Sequence, residues 1–220
     1  LKFLFTILMV FTLIHDTYSQ EESYFKPYIG WGATNIAGNP ENNINTIESS
    51  THSEPGLSGI YSFSAGAELE WHTGKWLIST GLQYLQTGNK NWNDTSGTIT
   101  KISHNLMVPL NIGYEIGISK RFMIVPQTGL APSLRIERKG TNKQAVSSRR
   151  SLYRFGGPIC LFSNTSVSLE YKLTKGLVLF AAPMFYITIN NIDGNQQNET
   201  DKTFEHPYAL HLSFGCMLSL

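Results

Sequence analysis

The sequence predicts an all-β fold: an eight-stranded antiparallel up-and-down transmembrane β-barrel. Three observations lead there. Residues 208–220 alternate, with Tyr208, Leu210, Leu212, Phe214, Cys216, Leu218 and Leu220 on one side and Ala209, His211, Ser213, Gly215, Met217 and Ser219 on the other. Period-2 alternation of this kind marks a strand with one apolar face. Similar segments recur along the chain, and what separates them alternates between tight turns and long polar stretches, the plan of a barrel with short turns on one rim and long loops on the other. The chain also opens on an apolar leader ahead of the first such segment.

The leader has Lys2, an apolar run from Phe3 to Ile14, and small residues at Thr17 and Ser19 that suit cleavage before Gln20. That run is too short to cross a bilayer as a helix, so residues 1–19 are expected to be a secretory signal peptide and residues 20–220 the barrel domain. Strands are expected near 24–36, 57–72, 75–88, 99–118, 121–138, 158–173, 176–190 and 206–220. Tight turns fall at 72–75, 119–120 and 174–175, and long polar stretches at 37–56, 89–98, 139–157 and 191–205. An even number of strands puts both ends of the sheet on the short-turn, periplasmic rim.

The fourth segment shows which face meets what. His104, Leu106, Val108, Leu110, Ile112, Tyr114, Ile116 and Ile118 alternate with Ser103, Asn105, Met107, Pro109, Asn111, Gly113, Glu115 and Gly117. An eight-stranded barrel encloses only a packed set of side chains or one small ligand, so the bulky face belongs to lipid and the small, polar face to the lumen. The same parity sends Lys26, Glu68, Glu70, Gln83, Glu115, Gln127, Arg135, Glu170, Lys172 and His211 inward, as a polar core of mixed sign. Trp71, Trp76 and Tyr171 fall near the periplasmic turns, where rings suit the headgroup zone. Pro109, Pro126, Pro132 and Pro183 lie inside strands of a sheet without free edges, so each calls for a bulge or a local break.

Lys and Arg number 17 against 16 Asp and Glu, which gives no electrostatic case for nucleic acid. The two cysteines, Cys160 and Cys216, fall at opposite ends of their strands and are expected as free thiols. No histidine spacing sets two imidazoles and a carboxylate together, and no glycine-rich loop opens a helix, so neither metal nor cofactor is expected.

The segments Phe63-Ser64-Ala65-Gly66 with Glu68, Thr80-Gly81-Leu82-Gln83-Tyr84 running to Gly88 and Lys90, and Leu106-Met107-Val108-Pro109-Leu110 with Gly113-Tyr114 resemble the PorT-like outer-membrane β-barrel family of Bacteroidota-type bacteria. Ser213 to Leu220 is similar to the C-terminal signal by which outer-membrane barrels reach their assembly machinery. The family resemblance implies an eight-stranded barrel in the outer membrane and, through the founding member, a place in a secretion or envelope complex; the barrel itself is expected to be monomeric. It brings no catalytic residues. The expected role is a non-enzymatic structural or binding platform. The alternative is a lipid A-modifying enzyme, because His211-Leu212-Ser213 resembles the His-x-Ser of outer-membrane lipid A deacylases, although alternation turns both residues to the lumen.

Arg138, Lys139, Lys143, Arg149, Arg150 and Arg154 make the third long stretch basic, while Glu41, Glu48, Glu54, Asp193, Glu199, Asp201 and Glu205 make the first and last acidic. Two accounts follow. Loops of opposite sign pair over the mouth, or the basic loop meets lipopolysaccharide, whose lipid A phosphates arginine grips through paired hydrogen bonds.

Overall fold

The computed structural model describes residues 22–37, 57–93, 97–143, 148–153, 159–189 and 206–220. The leader, the acidic residues of the first and last loops, and Arg154 lie outside them. Eight wall strands follow in order: β1 Glu22–Ala37, β2 Ile60–Thr73 with Leu57–Ser58 above it, and β3 Trp76–Asn93. The fourth, β4, has three pieces, Gly97–Met107, Leu110–Tyr114 and Ile116–Gly117; β5 is Phe122–Lys143. The sixth, β6, comprises Ser148–Tyr153 and Cys160–Lys172, and β7 Leu177–Thr188 and β8 His206–Ser219 complete the set. Every strand pairs antiparallel with its sequence neighbours, and β8 pairs with β1 over Tyr24–Ser219 to Ala37–His206, which closes the sheet. Closure satisfies the backbone within the wall, the condition for crossing a bilayer with strands.

Alternation sorts the side chains as expected. Ile29, Leu82, Leu110, Ile112, Leu130, Leu134, Leu169, Leu210, Leu212 and Phe214 are exposed on the outside, while Lys26, Glu68, Glu70, Gln83, Gln127, Arg135, Glu170 and His211 are buried inside. Described exposed cations are confined to the ends of strands and to turns: Lys75, Lys90, Lys120, Arg121 and Lys175. Aromatic rings mark two levels. Trp76 meets Tyr114 and Phe122 meets Tyr171 at the short-turn rim, and Phe63 meets Tyr84 and Phe185 meets Tyr208 toward the other. A closed sheet with an apolar exterior and aromatic belts is an outer-membrane barrel. The lumen is not uniformly polar: β7 turns Val178, Phe180, Ala182, Met184 and Tyr186 inward.

The prolines cause no register slip. Each sits beside a two-residue gap in at least one ladder, after which pairing resumes in the same register. Pro109 and Pro132 share the gap between Met107–Ser133 and Leu110–Leu130, bridged by Val108 N–H donating to Pro132 O at 3.0 Å. Pro126 lies opposite the break at Glu115, and Pro183 opposite the unpaired Val167 and Ser168. Pro126, Pro132 and Pro183 keep a partner on the other side, Val167, Leu161 and Leu212, whereas Pro109 falls in a gap of both its ladders, the second lying between Gln83–Met107 and Thr80–Leu110. The missing N–H groups are thus matched to places where the wall makes no bond. The one shift recorded in the described ladders is a bulge between His104 and Asn105, opposite Ile136.

Two expected loops are corrected. The stretch 89–98 is mostly strand, because β3 runs to Asn93 and pairs with β4 from Gly97. Most of 139–157 is a hairpin: Arg138–Lys143 pairs with Ser148–Tyr153 on one side and with Thr98–Ser103 on the other. From Trp76 to Asn93, at about 3.3 Å per residue and a tilt near 40°, β3 climbs roughly 43 Å. An apolar band is about 25 Å tall, so this side of the wall stands well above the membrane.

Candidate functional site

The lower, periplasmic half of the lumen is charged. Lys26 on β1 donates to Glu70 Oε2 at 2.9 Å and lies 3.9 Å from Glu170 Oε1. Its ammonium also sits 4.7 Å above the Phe180 ring centroid, a cation–π contact in a desolvated site. Glu70 further contacts His72 Nε2 at 2.8 Å and accepts from Gln127 Nε2 at 3.3 Å, and His72 Nδ1 is 3.8 Å from Glu115 Oε2. Glu68 is held separately by Tyr28 OH at 2.9 Å, Ser79 Oγ at 2.8 Å and Asn111 Nδ2 at 3.4 Å. A buried carboxylate persists only with such partners. Glu170 is the exception: it is fully buried and neither oxygen has a hydrogen bond among the described residues.

Above it, the lumen around His211 is neutral. His211 lies between Ser64 Oγ at Nδ1 and Ser62 Oγ at Nε2, each at 2.8 Å. Ser62 Oγ donates to the Gln86 carbonyl, so it accepts from His211 Nε2–H, and Nδ1 then accepts from Ser64. That bookkeeping describes a neutral imidazole. Tyr186 packs edge-on to His211 and accepts a hydrogen bond from Gln83 Nε2 at 2.5 Å. Gly32 lies where a Cβ would stand 2.7 Å from His211 Cα, so this close approach of β1 to β8 requires glycine. Toward the extracellular end, Arg135 is buried and its Nη2 is 3.6 Å from Cys160 Sγ.

Most of the expected inward residues therefore belong to these networks. Glu115 and Lys172 differ, because they are only partly covered and line a cavity at the periplasmic mouth with Glu22, Tyr24, His72 and Glu170. Its volume is about 10 Å³, the space of about one water. A second cavity, bordered by Asn111, Gln127, Asn164, Ser166 and Met184, has no room for one. Among the described residues, no three His, Cys, Asp or Glu side chains are placed to hold a metal ion. His211 and Ser213 are both buried in the lumen, and neither Cys160 nor Cys216 is in a disulfide.

Pairing places the basic positions of the described hairpin on two faces of the raised sheet. Pairing sets position 138 in the row of buried Thr87 through Ser103, and position 149 in the row of Asn91, on the lumen side of the raised sheet. Position 150 shares the row of exposed Lys90, and positions 139 and 143 fall on that same outer side. What sequence inspection missed was the hydroxyl set, Ser62, Ser64 and Ser79. The signal was present, because these residues share the inward parity of Glu68 and Glu70 on β2, or of Gln83 on β3.

No protein-family model matches the chain, and no curated protein matches it either. Among solved structures it is similar to Neisserial surface protein A, at 10% identity and TM-score 0.46, over 89% of this chain and 97% of that one. It is also similar to the attachment invasion locus protein of Yersinia pestis bound to the heparin analogue sucrose octasulfate, at 10% identity and TM-score 0.41, over 90% and 99%. A third is the outer membrane protease OmpT of Escherichia coli, at 8% identity and TM-score 0.45, over 91% and 96%.

Proposed function

We propose that the protein is a non-enzymatic binding platform of the outer membrane, with the filled barrel as anchor and the raised β3–β6 sheet as recognition surface. The observation that carries this is the continuation of the wall beyond the membrane band, where Arg138–Lys143 pairs with Ser148–Tyr153. A paired sheet presents its side chains at fixed spacing, with less ordering cost on binding than a loose loop. Its outer side, where pairing places positions 139, 143 and 150 in line with exposed Lys90, suits lipopolysaccharide phosphates, and its remaining surface suits a protein of an envelope or secretion complex. PorT-like kinship is the finer assignment, supported by the motifs of β2, β3 and β4. Lipid A modification is the less favoured role, because His211 and Ser213 face the lumen and both ring nitrogens of His211 are engaged.

Replacing Thr141–Arg150 with an Asn-Gly turn tests the proposal. The shortened barrel is expected to keep its heat-modifiable migration on a denaturing gel while retaining less lipopolysaccharide through purification. Unchanged retention in a folded variant would remove lipopolysaccharide from the role.

A further inference from the structure

The periplasmic rim has a charge pattern that the platform role does not use. Each of its three turns carries exposed cations and no acid: Lys75 in Thr73-Gly74-Lys75-Trp76, Lys120 and Arg121 in Ser119-Lys120-Arg121-Phe122, and Lys175 in Thr174-Lys175-Gly176-Leu177. The turns are built to hold these positions. Gly74 has φ of 65°, and no described non-glycine residue has positive φ, so the first is a hairpin turn with glycine at its first central position. In the other two a hydroxyl closes the turn: Ser119 Oγ accepts from Arg121 N at 3.3 Å and Phe122 N at 3.1 Å, and Thr174 Oγ1 accepts from Gly176 N at 3.4 Å.

The cations adjoin the lipid-facing wall. Lys75 precedes exposed Trp76, whose ring meets Tyr114 at 5.0 Å. Arg121 Nη1 donates to Tyr171 OH at 3.3 Å, and Tyr171 packs on Phe122 at 4.8 Å, which holds the guanidinium against the outward aromatic belt. The described acids at this rim lie on the inner side instead, where Glu22, Glu115 and Glu170 line the mouth cavity with Lys172. Arg121 is thus held against the outer wall, Lys75, Lys120 and Lys175 stand exposed in the turns beside it, and the described acids lie toward the lumen.

We propose that these turns form a cationic collar that binds the phosphates of anionic phospholipids in the periplasmic leaflet. Aromatic rings fix the headgroup level, and a Lys or Arg beside them reaches the phosphate with its stem along the apolar surface. Each cation near an anionic surface contributes roughly a fivefold gain in partitioning. The collar does not depend on what the raised sheet binds.

The test reconstitutes the full barrel in phosphatidylcholine vesicles with and without phosphatidylglycerol and follows urea unfolding by tryptophan fluorescence. Wild type is expected to gain resistance with phosphatidylglycerol, and to lose that gain in high salt. The variant K75Q/K120Q/R121Q/K175Q is expected to match wild type in phosphatidylcholine alone but to lose the gain. K75R/K120R/K175R is expected to keep it, as is the extracellular variant K139Q/K143Q/R150Q. Phosphatidylglycerol retained on the detergent-purified proteins, counted by native mass spectrometry, should follow the same order and serves where a variant folds poorly. No gain in wild type, a gain that survives the collar variant, or equal loss in the collar and extracellular variants would each overturn the proposal. Survival in the collar variant would reassign the turns to an acidic periplasmic partner.

Discussion

The two halves of the lumen solve one problem in different ways. In the lower half Lys26 and Glu70 form a buried ion pair, with His72 hydrogen-bonded to Glu70 and with Glu170 and Glu115 nearby, whereas in the upper half His211, Ser62, Ser64, Gln83 and Tyr186 exchange neutral hydrogen bonds. The difference sets how each half responds to loss of one group. Removing one member of a buried ion pair strands a charge, while removing a neutral partner leaves a hydroxyl or amide unmatched, a smaller loss.

The largest effect is expected from Lys26→Met, which leaves Glu70 and Glu170 buried without their ammonium and should cost about 3–5 kcal/mol in urea unfolding from vesicles. Adding Glu70→Gln should recover much of that loss. A double variant no better than the single one would show that the lower half is not organised by this pair.

Next is the contrast between charge and loss of size at one lipid-facing position of β4. Leu110→Arg, on the exposed face between the aromatic belts, should cost about 2–4 kcal/mol, and Leu110→Ala clearly less. A tolerated arginine there would place the position outside the apolar band.

In the upper half, His211→Ala should cost about 1–3 kcal/mol, because Ser62 and Ser64 lose their shared partner. Gly32→Ala should cost about 1–3 kcal/mol by crowding His211. If His211→Ala equals Lys26→Met in cost, the contrast between the halves fails.

The smallest effect is expected at Cys216, only partly covered, where Cys216→Ser should stay within about 0.5 kcal/mol. Intact mass after maleimide treatment of the folded barrel should show Cys160 unlabelled, because it is fully buried.

Much of the fold was legible because alternation is local. The parity of Lys26, Glu68 and Glu70 assigned them to the lumen before any pairing was known. The raised hairpin was not legible, since Lys139-Gly140-Thr141-Asn142-Lys143 has no apolar alternation and reads as loop. It is strand because β4 and Ser148–Tyr153 supply partners on both sides. The prolines were legible as interruptions, but the ladder that each would spare was not, because that depends on which neighbour its missing N–H would have faced.

By itself, then, the sequence determined the strand count, the inward and outward sets and the short-turn rim, all of which follow from side-chain period and turn chemistry within a few residues. Tertiary structure decided the partners. Lys26 meets Glu70 on the neighbouring strand and Glu170 across the lumen, and His211 meets two serines about 150 positions away in sequence. Such contacts depend on stagger and closure, which bring distant strands to one level of the barrel and which no local period encodes.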